Sequence, residues 1–194
     1  MKGYQSSRRT NRLRRRPSRS YADGVTAVFD LRQLRLRPGE VRRESIDVDV
    51  EPFLLGGQQY DASPSTVPVA LEIAEPSGAM LLDLWAHVHL VGPCMRCLGH
   101  AEVGIDATAR EFHDSDAPAG DDLRSDYVKD DRLQVGAWAR DVVALELPDQ
   151  ILCRADCAGL CPVCGKDLNV EPHEHEDVEP DPRWAALAEF RDEL

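Results

Sequence analysis

Hydrophobic and polar residues alternate over much of the region from about residue 40 to residue 110. A period of two places one set of side chains on one face of an extended strand and the other set on the opposite face. Two apolar faces of this kind are formed by Ile46, Val48 and Val50, and by Val67, Val69, Leu71 and Ile73. The pattern therefore predicts antiparallel β-strands, separated by a polar loop at residues 56–65.

The clearest alternation belongs to two successive segments that predict a β-hairpin. Their apolar faces are Leu82, Leu84, Ala86, Val88 and Leu90, followed by Ala101, Val103, Ile105 and Ala107. His87 and His89 fall between the apolar positions of the first strand, so we expect them on its opposite face. The tip of the hairpin is residues 92–99, which contain Cys94 and Cys97.

One helix is predicted after the strands, at residues 134–146, where apolar residues follow helical spacing and Pro148 ends the pattern. Trp138 is expected to anchor this helix in the core. Residues 113–131 carry seven aspartates and predict a flexible acidic loop before the helix. The fold class is therefore α+β: an antiparallel β-sheet with a packed helix.

Charge divides the chain into regions. The first 20 residues hold eight basic residues and no acidic ones, which leaves 15 basic against 35 acidic residues, a net charge of −20, in the remainder. We interpret residues 1–22 as a basic disordered arm, residues 23–170 as the α+β domain, and residues 171–194 as an acidic tail. Asp181 and Pro182 predict the start of a short helix in that tail.

The arginine-rich arm is a candidate for contact with RNA phosphates, a type of binding that weakens steeply with salt. The alternative is a solvated tail without a partner. The candidate RNA-binding residues are Arg8, Arg9, Arg12, Arg14, Arg15, Arg16 and Arg19. No apolar stretch follows the arm as in a secretory signal, and no run is long enough to cross a bilayer, so we expect a cytoplasmic protein without membrane contact.

All six cysteines fall into two groups, a pattern typical of metal binding in a reducing compartment. Cys94 and Cys97 form one C-x-x-C pair at the hairpin tip. The second group is Cys153, Cys157, Cys161 and Cys164, followed by His173 and His175. Thiolates and imidazoles are the usual ligands of zinc, and a site closed by thiolates is typically structural. The sequence therefore predicts a zinc-knuckle turn at each C-x-x-C pair, which makes the C-terminal segment a zinc-knuckle segment, and one or two Zn²⁺ ions in total.

Spacing leaves three groupings of these ligands open. In the first, Cys94, Cys97, Cys153 and Cys157 hold one ion, and Cys161, Cys164, His173 and His175 hold another. In the second, the two C-x-x-C pairs share a single ion. The third is a local site made of the four cysteines between residues 153 and 164. The first and second groupings would each crosslink the hairpin tip to the chain that follows the helix.

No motif in the sequence indicates an enzyme. P-loop, G-x-S-x-G and H-E-x-x-H patterns are absent, and no pair of acids is marked out for acid–base chemistry. We therefore predict a non-enzymatic protein without a small-molecule substrate. The alternative is a thiol-redox enzyme that uses Cys94 and Cys97, although such pairs usually lie at a helix N-terminus.

Several stretches together resemble the YceD-like family, the large ribosomal RNA subunit accumulation proteins. They are residues 94–98 (CMRCL), 145–148 (LELP), 153–169 with their GLCPVCG core, and 181–187 (DPRWAAL). The resemblance covers about residues 25–190 and excludes the basic arm. Family members often carry a C-x-C after the asparagine, where this chain has His173 and His175.

The resemblance implies a role in accumulation of large-subunit ribosomal RNA and hence in assembly of the large subunit. The expected partners are a large-subunit precursor, its rRNA or a ribosomal protein. The second hypothesis is a zinc-stabilised protein-interaction module with a regulatory role, and association with large-subunit precursors separates the two.

Overall fold

The computed structural model describes residues 27–175 of the chain, apart from residues 38, 77 and 119. The predicted basic arm at residues 1–22, its seven candidate RNA-binding arginines and the helix predicted to start at Asp181 lie outside the described residues. Within them, antiparallel sheets and one α-helix form an α+β fold, as the alternation of apolar residues predicted.

In chain order, the described elements are one strand, a 3-10 turn, eight further strands and a helix. The strands are β1 (Phe29–Asp30), β2 (Val41–Asp49), β3 (Phe53–Leu55), β4 (Gln58–Ala62), β5 (Thr66–Ala74), β6 (Met80–Pro93), β7 (His100–His113), β8 (Val128–Lys129) and β9 (Arg132–Leu133). The 3-10 turn is Leu31–Gln33, and the helix α1 is Val135–Leu145.

The larger sheet has the order β2-β5-β6-β4-β3, and β7 pairs with β6. Strands β6 and β7 pair in antiparallel register along their whole length, from Met80 opposite His113 to Pro93 opposite His100. The first half of β6 also pairs with β5, and residues 90 and 91 pair with β4. The small sheet has the order β1-β9-β8.

The hairpin predicted from alternation is confirmed, with longer strands than the apolar positions alone mark. Even-numbered residues of β6 from Leu82 to Leu90 are buried, whereas Trp85 and His87 are exposed. His87 lies on the open face beside Asp106 of β7, with 2.6 Å between Nδ1 and the carboxylate. Because β6 and β7 each have 14 residues and pair along their length, the hairpin is rigid and fixes the position of the cysteine-bearing tip.

The polar loop predicted at residues 56–65 is wrong, because the structure has a second hairpin there. Strands β3 and β4 are joined by Gly56 and Gly57, whose φ angles of 56° and 81° suit a two-residue turn that needs positive φ at both positions. Tyr60 of β4 is fully buried, and its hydroxyl donates a hydrogen bond of 2.8 Å to the Pro93 carbonyl. This contact supports the end of β6 just before the cysteine turn.

The region predicted as an acidic loop at residues 113–131 is partly ordered into strands. His113 is the last residue of β7 and is buried, and burial lowers the pKa of its imidazole. Strand β8 lies near the other end, where Tyr127 stacks on Trp138 with 5.9 Å between the ring centroids. This aspartate-rich segment is therefore held against the core by its apolar residues.

Helix α1 confirms the predicted helix to within one residue at each end, and it packs against the inner face of the sheet. Its buried residues are Val135, Trp138, Ala139, Val142 and Val143. The helix leads into the cysteine-rich segment, where Ile151 is almost fully buried. Among the described residues, no helix is long and apolar enough to cross a membrane.

We predict that Gly92→Ala destabilises the protein by about 1–3 kcal/mol, because the added methyl group has no room. A Cβ at this position of β6 would lie 2.8 Å from the Gln59 carbonyl oxygen and against the Tyr60 ring. Urea unfolding monitored by circular dichroism measures the loss. Gly104→Ala on the paired strand is the matched control, since its Cβ would meet only His87, at 3.5 Å. Equal stability of the two variants would contradict the crowding at Gly92.

Candidate metal centre

The hairpin tip is a tight turn that directs two thiols to one side. The Cys94 N–H donates to the Gly99 carbonyl at 2.6 Å, and the Leu98 N–H donates to the Cys94 carbonyl at 3.0 Å. Leu98 has a φ of 60°, in the left-handed region that lets the chain turn back towards β7. Cys94 is buried and Cys97 is half-buried, so both sulfurs lie under the turn.

The second C-x-x-C pair repeats this turn. The Cys161 N–H donates to the Lys166 carbonyl, and the Gly165 N–H donates to the Cys161 carbonyl, both at 2.8 Å. Gly165 has a φ of 73° and holds the place that Leu98 holds in the hairpin turn. Two separate parts of the chain therefore form the same hydrogen-bonded knuckle, as the sequence predicted for each C-x-x-C pair.

Four cysteine sulfurs converge where the hairpin tip meets the chain that follows α1. Cys94, Cys97, Cys153 and Cys157 have all their sulfur atoms within 4.8 Å of one another. The Cys94 and Cys157 sulfurs are 3.8 Å apart, and those of Cys97 and Cys153 are 3.7 Å apart. The first pair is buried, whereas Cys153 is exposed at the edge of the cluster. We call these residues the four-cysteine cluster.

Backbone N–H groups favour a thiolate at the first cysteine of each knuckle. Burial raises the pKa of Cys94, but the N–H groups of Cys97, Cys153 and Arg96 directed at its sulfur outweigh burial and lower the pKa to about 6. The Cys164 N–H likewise lowers the pKa of Cys161 to about 6.

Within the four-cysteine cluster, the Cys153 thiol resists ionisation. Desolvation and the neighbouring thiols raise its pKa to about 12. Several thiols this close together ionise together only when a cation compensates their charge.

The second convergence combines the other knuckle with two histidines. The ligand atoms of Cys161, Cys164, His173 and His175 lie within 4.8 Å of one another. His173 Nε2 is 3.1 Å from the Cys164 sulfur. Its Nδ1 donates to the Glu171 carbonyl at 2.7 Å, since a carbonyl oxygen only accepts. That bond also raises the pKa of His173. We call these residues the cysteine–histidine cluster.

The orientation of His173 is the one that metal-ligating histidines adopt. When one ring nitrogen donates to a backbone carbonyl, the tautomer and the ring direction are fixed, and the other nitrogen presents its lone pair to the metal. The rings of His173 and His175 are perpendicular, with 5.0 Å between their centroids.

Arg96, between the cysteines of the hairpin tip, ties the tip to the later segment. Its guanidinium donates to the Cys157 carbonyl at 3.1 Å and to the Gln150 side chain at 3.2 Å. Its carbonyl accepts from the Leu160 N–H at 3.0 Å. A Cβ on Gly159, whose φ is 79°, would lie 3.2 Å from that carbonyl, so the two chains approach closely there.

Asn169 supports the four-cysteine cluster from the loop between Cys164 and His173. Its side-chain amide N–H group donates to the Cys157 sulfur at 3.5 Å, and its amide oxygen accepts from the Ala158 N–H and the Arg154 guanidinium, each at 2.8 Å. Asp167 fixes the amide by accepting from it at 2.6 Å. Asn169 lies between Cys164 and His173 in sequence, so one residue of the second loop supports a sulfur of the first cluster.

Both clusters can hold a metal ion. Each supplies four ligand atoms of the types that zinc prefers, thiolate sulfur and imidazole nitrogen, and four is the number that a closed tetrahedral site takes. Of the three groupings open from spacing, the geometry forms the one with four cysteines in one cluster and two cysteines with two histidines in the other.

The other four histidines of the chain belong to neither cluster. His87 and His89 lie on β6, and His100 and His113 are the ends of β7. Sequence reasoning missed the roles of Arg96 and Asn169. The signal for both was their position, one inside the first C-x-x-C pair and the other just after the second.

Comparison with known proteins identifies a sequence family and several relatives of this chain. A sequence model of the family described as large ribosomal RNA subunit accumulation protein YceD matches residues 82–191. The uncharacterized protein Rv2926c of Mycobacterium tuberculosis is 31% identical over 184 residues, which cover 92% of this chain and 78% of that protein.

Two further relatives are also uncharacterized. ML1660 of Mycobacterium leprae is 28% identical over 84% of this chain and 76% of its own length. YlbN of Bacillus subtilis is 32% identical over 57% of this chain and 60% of its own length. No solved structure matches the chain.

We predict that Asn169→Ala lowers the metal affinity of the four-cysteine cluster by about 10- to 100-fold, the usual effect of losing a residue that supports a ligand. Competition with a chromophoric chelator measures the affinity, and Co²⁺ provides a sulfur-to-metal absorption band as a second signal. Lys166→Ala is the control, because it removes only a surface ion pair with Glu171 in the same loop. An unchanged affinity in Asn169→Ala would contradict the supporting role of the amide.

Proposed function

Because the chain belongs to the YceD family of large ribosomal RNA subunit accumulation proteins, we propose that it is a non-enzymatic zinc-binding factor. Its proposed role is in the accumulation of large-subunit rRNA and the assembly of the large subunit. In this proposal it acts in the cytoplasm on a precursor of the large subunit, through rRNA or through a ribosomal protein. The family name supports the connection to rRNA, and the two clusters support the connection to metal.

The observation that carries the proposal is that the family match contains the whole candidate metal centre. The match spans residues 82–191, and the eight candidate ligands lie between Cys94 and His175. The same stretch includes all of β7 and all but the first two residues of β6. What relates this chain to the family is therefore the hairpin, its cysteine tip and the segment that meets it.

A structural role of the metal follows from the chemistry of the ligands. A catalytic zinc keeps one position for water and usually has three protein ligands, whereas each cluster here offers four. The residues that would hold zinc are the four cysteines of one cluster, and the two cysteines and two histidines of the other. Bound zinc would supply a crosslink between the hairpin tip and the segment after α1, and folding energy with it.

The basic arm supplies the proposed contact with RNA. Its seven arginines at residues 8–19 would neutralise phosphates, while the acidic remainder of the chain, at −20, would repel RNA from other surfaces. Phosphate contacts of this kind carry no information about the base sequence.

We predict that the purified full chain contains two zinc ions, measured by elemental analysis and native mass spectrometry. Cys97→Ser should remove one ion and leave the other, and Cys164→Ser should do the same for the other cluster. Cys94→Ser is less informative because Cys94 is fully buried and its loss also disturbs packing.

The result that would contradict zinc binding is a folded chain with six free thiols and no zinc. The thiol-redox hypothesis would then gain support, and it has its own signature: Cys97→Ser would abolish thiol–disulfide exchange while leaving the fold intact. Loss of both zinc and folding in Cys97→Ser would instead assign the metal to the structure.

We predict that replacing the seven arm arginines by serine weakens binding to large-subunit rRNA and flattens its salt dependence. Each lost phosphate contact should reduce the slope of log K against log salt by about 0.7 to 0.9. Filter binding at several salt concentrations measures the slope, with the arginines of β2, Arg42 and Arg43, replaced by serine as a control for loss of positive charge elsewhere. An unchanged slope in the arm variant would exclude the arm as the RNA contact.

A further inference from the structure

A groove of about 550 Å³ lies between helix α1 and the inner face of the larger sheet, and none of the eight candidate metal ligands lines it. Its floor is aliphatic, formed where the helix leaves part of the sheet uncovered: Val48, Val69, Val88 and Val143. These four side chains are almost fully buried, and the half-buried Val50 and Ala137 supply apolar surface that a partner's side chains can reach. The space is large enough for two or three such side chains. We call this space the α1 groove.

The rim of the α1 groove is acidic. Four exposed acids border it, namely Asp49, Glu51, Asp126 and Asp141. Of the two basic residues at the rim, Arg140 donates to the carbonyls of Glu51 and Pro52 at 2.7 and 3.2 Å and lies over the Phe53 ring. Lys129 is the other. An aliphatic floor under a mostly negative rim suits a ligand that carries apolar and basic side chains together.

The groove also opens onto a sheet edge. Its wall includes Val48 and Asp49, the last residues of β2, and then Val50 and Glu51. Strand β2 pairs with β5 on one side, and within the described ranges no strand pairs with its other side. An unpaired edge offers backbone N–H and C=O groups to an added strand, and the floor beside it accepts every second side chain of that strand.

We propose that the α1 groove binds an extended, basic segment of a partner protein, in which aliphatic residues alternate with arginine or lysine. The aliphatic side chains enter the groove between α1 and β2, and the basic side chains meet the acidic rim. This proposal rests on the proposed function and makes it more specific: the acidic body binds a basic ribosomal protein of the large subunit, while the arm binds RNA.

Two other occupants fit the observations less well. RNA carries phosphates that four rim acids repel, and it has no aliphatic group for the floor. The chain's own arm is basic, but Leu13 is the only large apolar residue between Ser6 and Ser20. An aliphatic floor of four valines calls for more apolar surface than that stretch carries.

The probe is a fluorescently labelled ten-residue peptide that alternates valine and arginine, titrated with the full zinc-loaded chain and followed by fluorescence anisotropy. A peptide that alternates serine and arginine has the same charge and length without the aliphatic side chains. We expect the valine peptide to bind at least about tenfold more tightly than the serine peptide, since each buried aliphatic side chain adds to the affinity.

Two protein variants test the two features of the groove separately. Ala137→Phe, at a half-buried groove position on α1, should fill the space and weaken the valine peptide by about tenfold or more. Ala144→Phe, on the exposed face of the same helix, is the matched control and should bind like the unaltered protein. Glu51→Gln combined with Asp126→Asn should weaken binding by about three- to tenfold and reduce its dependence on salt.

Four outcomes would overturn the proposal. They are equal binding of the serine peptide, undiminished binding to Ala137→Phe, loss of rRNA binding by Ala137→Phe, and about tenfold tighter peptide binding once the arm arginines are replaced by serine. The third would assign the groove to RNA, and the fourth to the arm. Because the peptide assay contains no RNA, failure of the proposed rRNA role leaves its result interpretable.

Discussion

The hairpin tip and the chain after α1 meet at cysteine sulfurs that are 56 and 63 residues apart in sequence. Closing a loop of that length removes conformational entropy worth about 4 kcal/mol from the unfolded chain if the contact is permanent. Hydrogen bonds cross this contact from Met95 N–H to the Ile151 carbonyl, from Leu160 N–H to the Arg96 carbonyl, and from the Arg96 guanidinium to the Cys157 carbonyl. Four thiols within 4.8 Å repel one another once ionised, and a cation between them would compensate that charge.

The remaining architecture serves this junction. Full pairing of β6 with β7 makes the tip rigid, and Tyr60 supports its base through the Pro93 carbonyl. Helix α1 packs on the inner face of the sheet and delivers the segment that carries Cys153 and Cys157. Asn169, from the loop between Cys164 and His173, then supports the Cys157 sulfur of that segment. The sheet–helix body thus has two distinct surfaces, an end with the two candidate metal clusters and, beside α1, an acidic groove.

The elements that follow from the sequence are those governed by local periodicity or local turns. Alternation predicted β5, β6 and β7, helical spacing predicted α1, and each C-x-x-C pair predicted a knuckle. Strands β3 and β4 were missed because Gln58 and Gln59 obscure the apolar period and the signal lies in the Gly56–Gly57 turn. The grouping of eight ligands was undetermined because it depends on strand register and on contacts such as Met95 with Ile151, which spacing does not encode.

Zinc-edge X-ray absorption of the full chain tests whether two metal ions share these eight ligands. Six cysteines and two histidines divided between two ions predict an average of three sulfur ligands and one nitrogen ligand per zinc. The averaged shell should therefore contain both sulfur distances of about 2.3 Å and nitrogen distances of about 2.0 Å. A shell of four sulfurs without nitrogen would contradict the account, because it would leave His173 and His175 without a role and return the metal to a single site of cysteines alone.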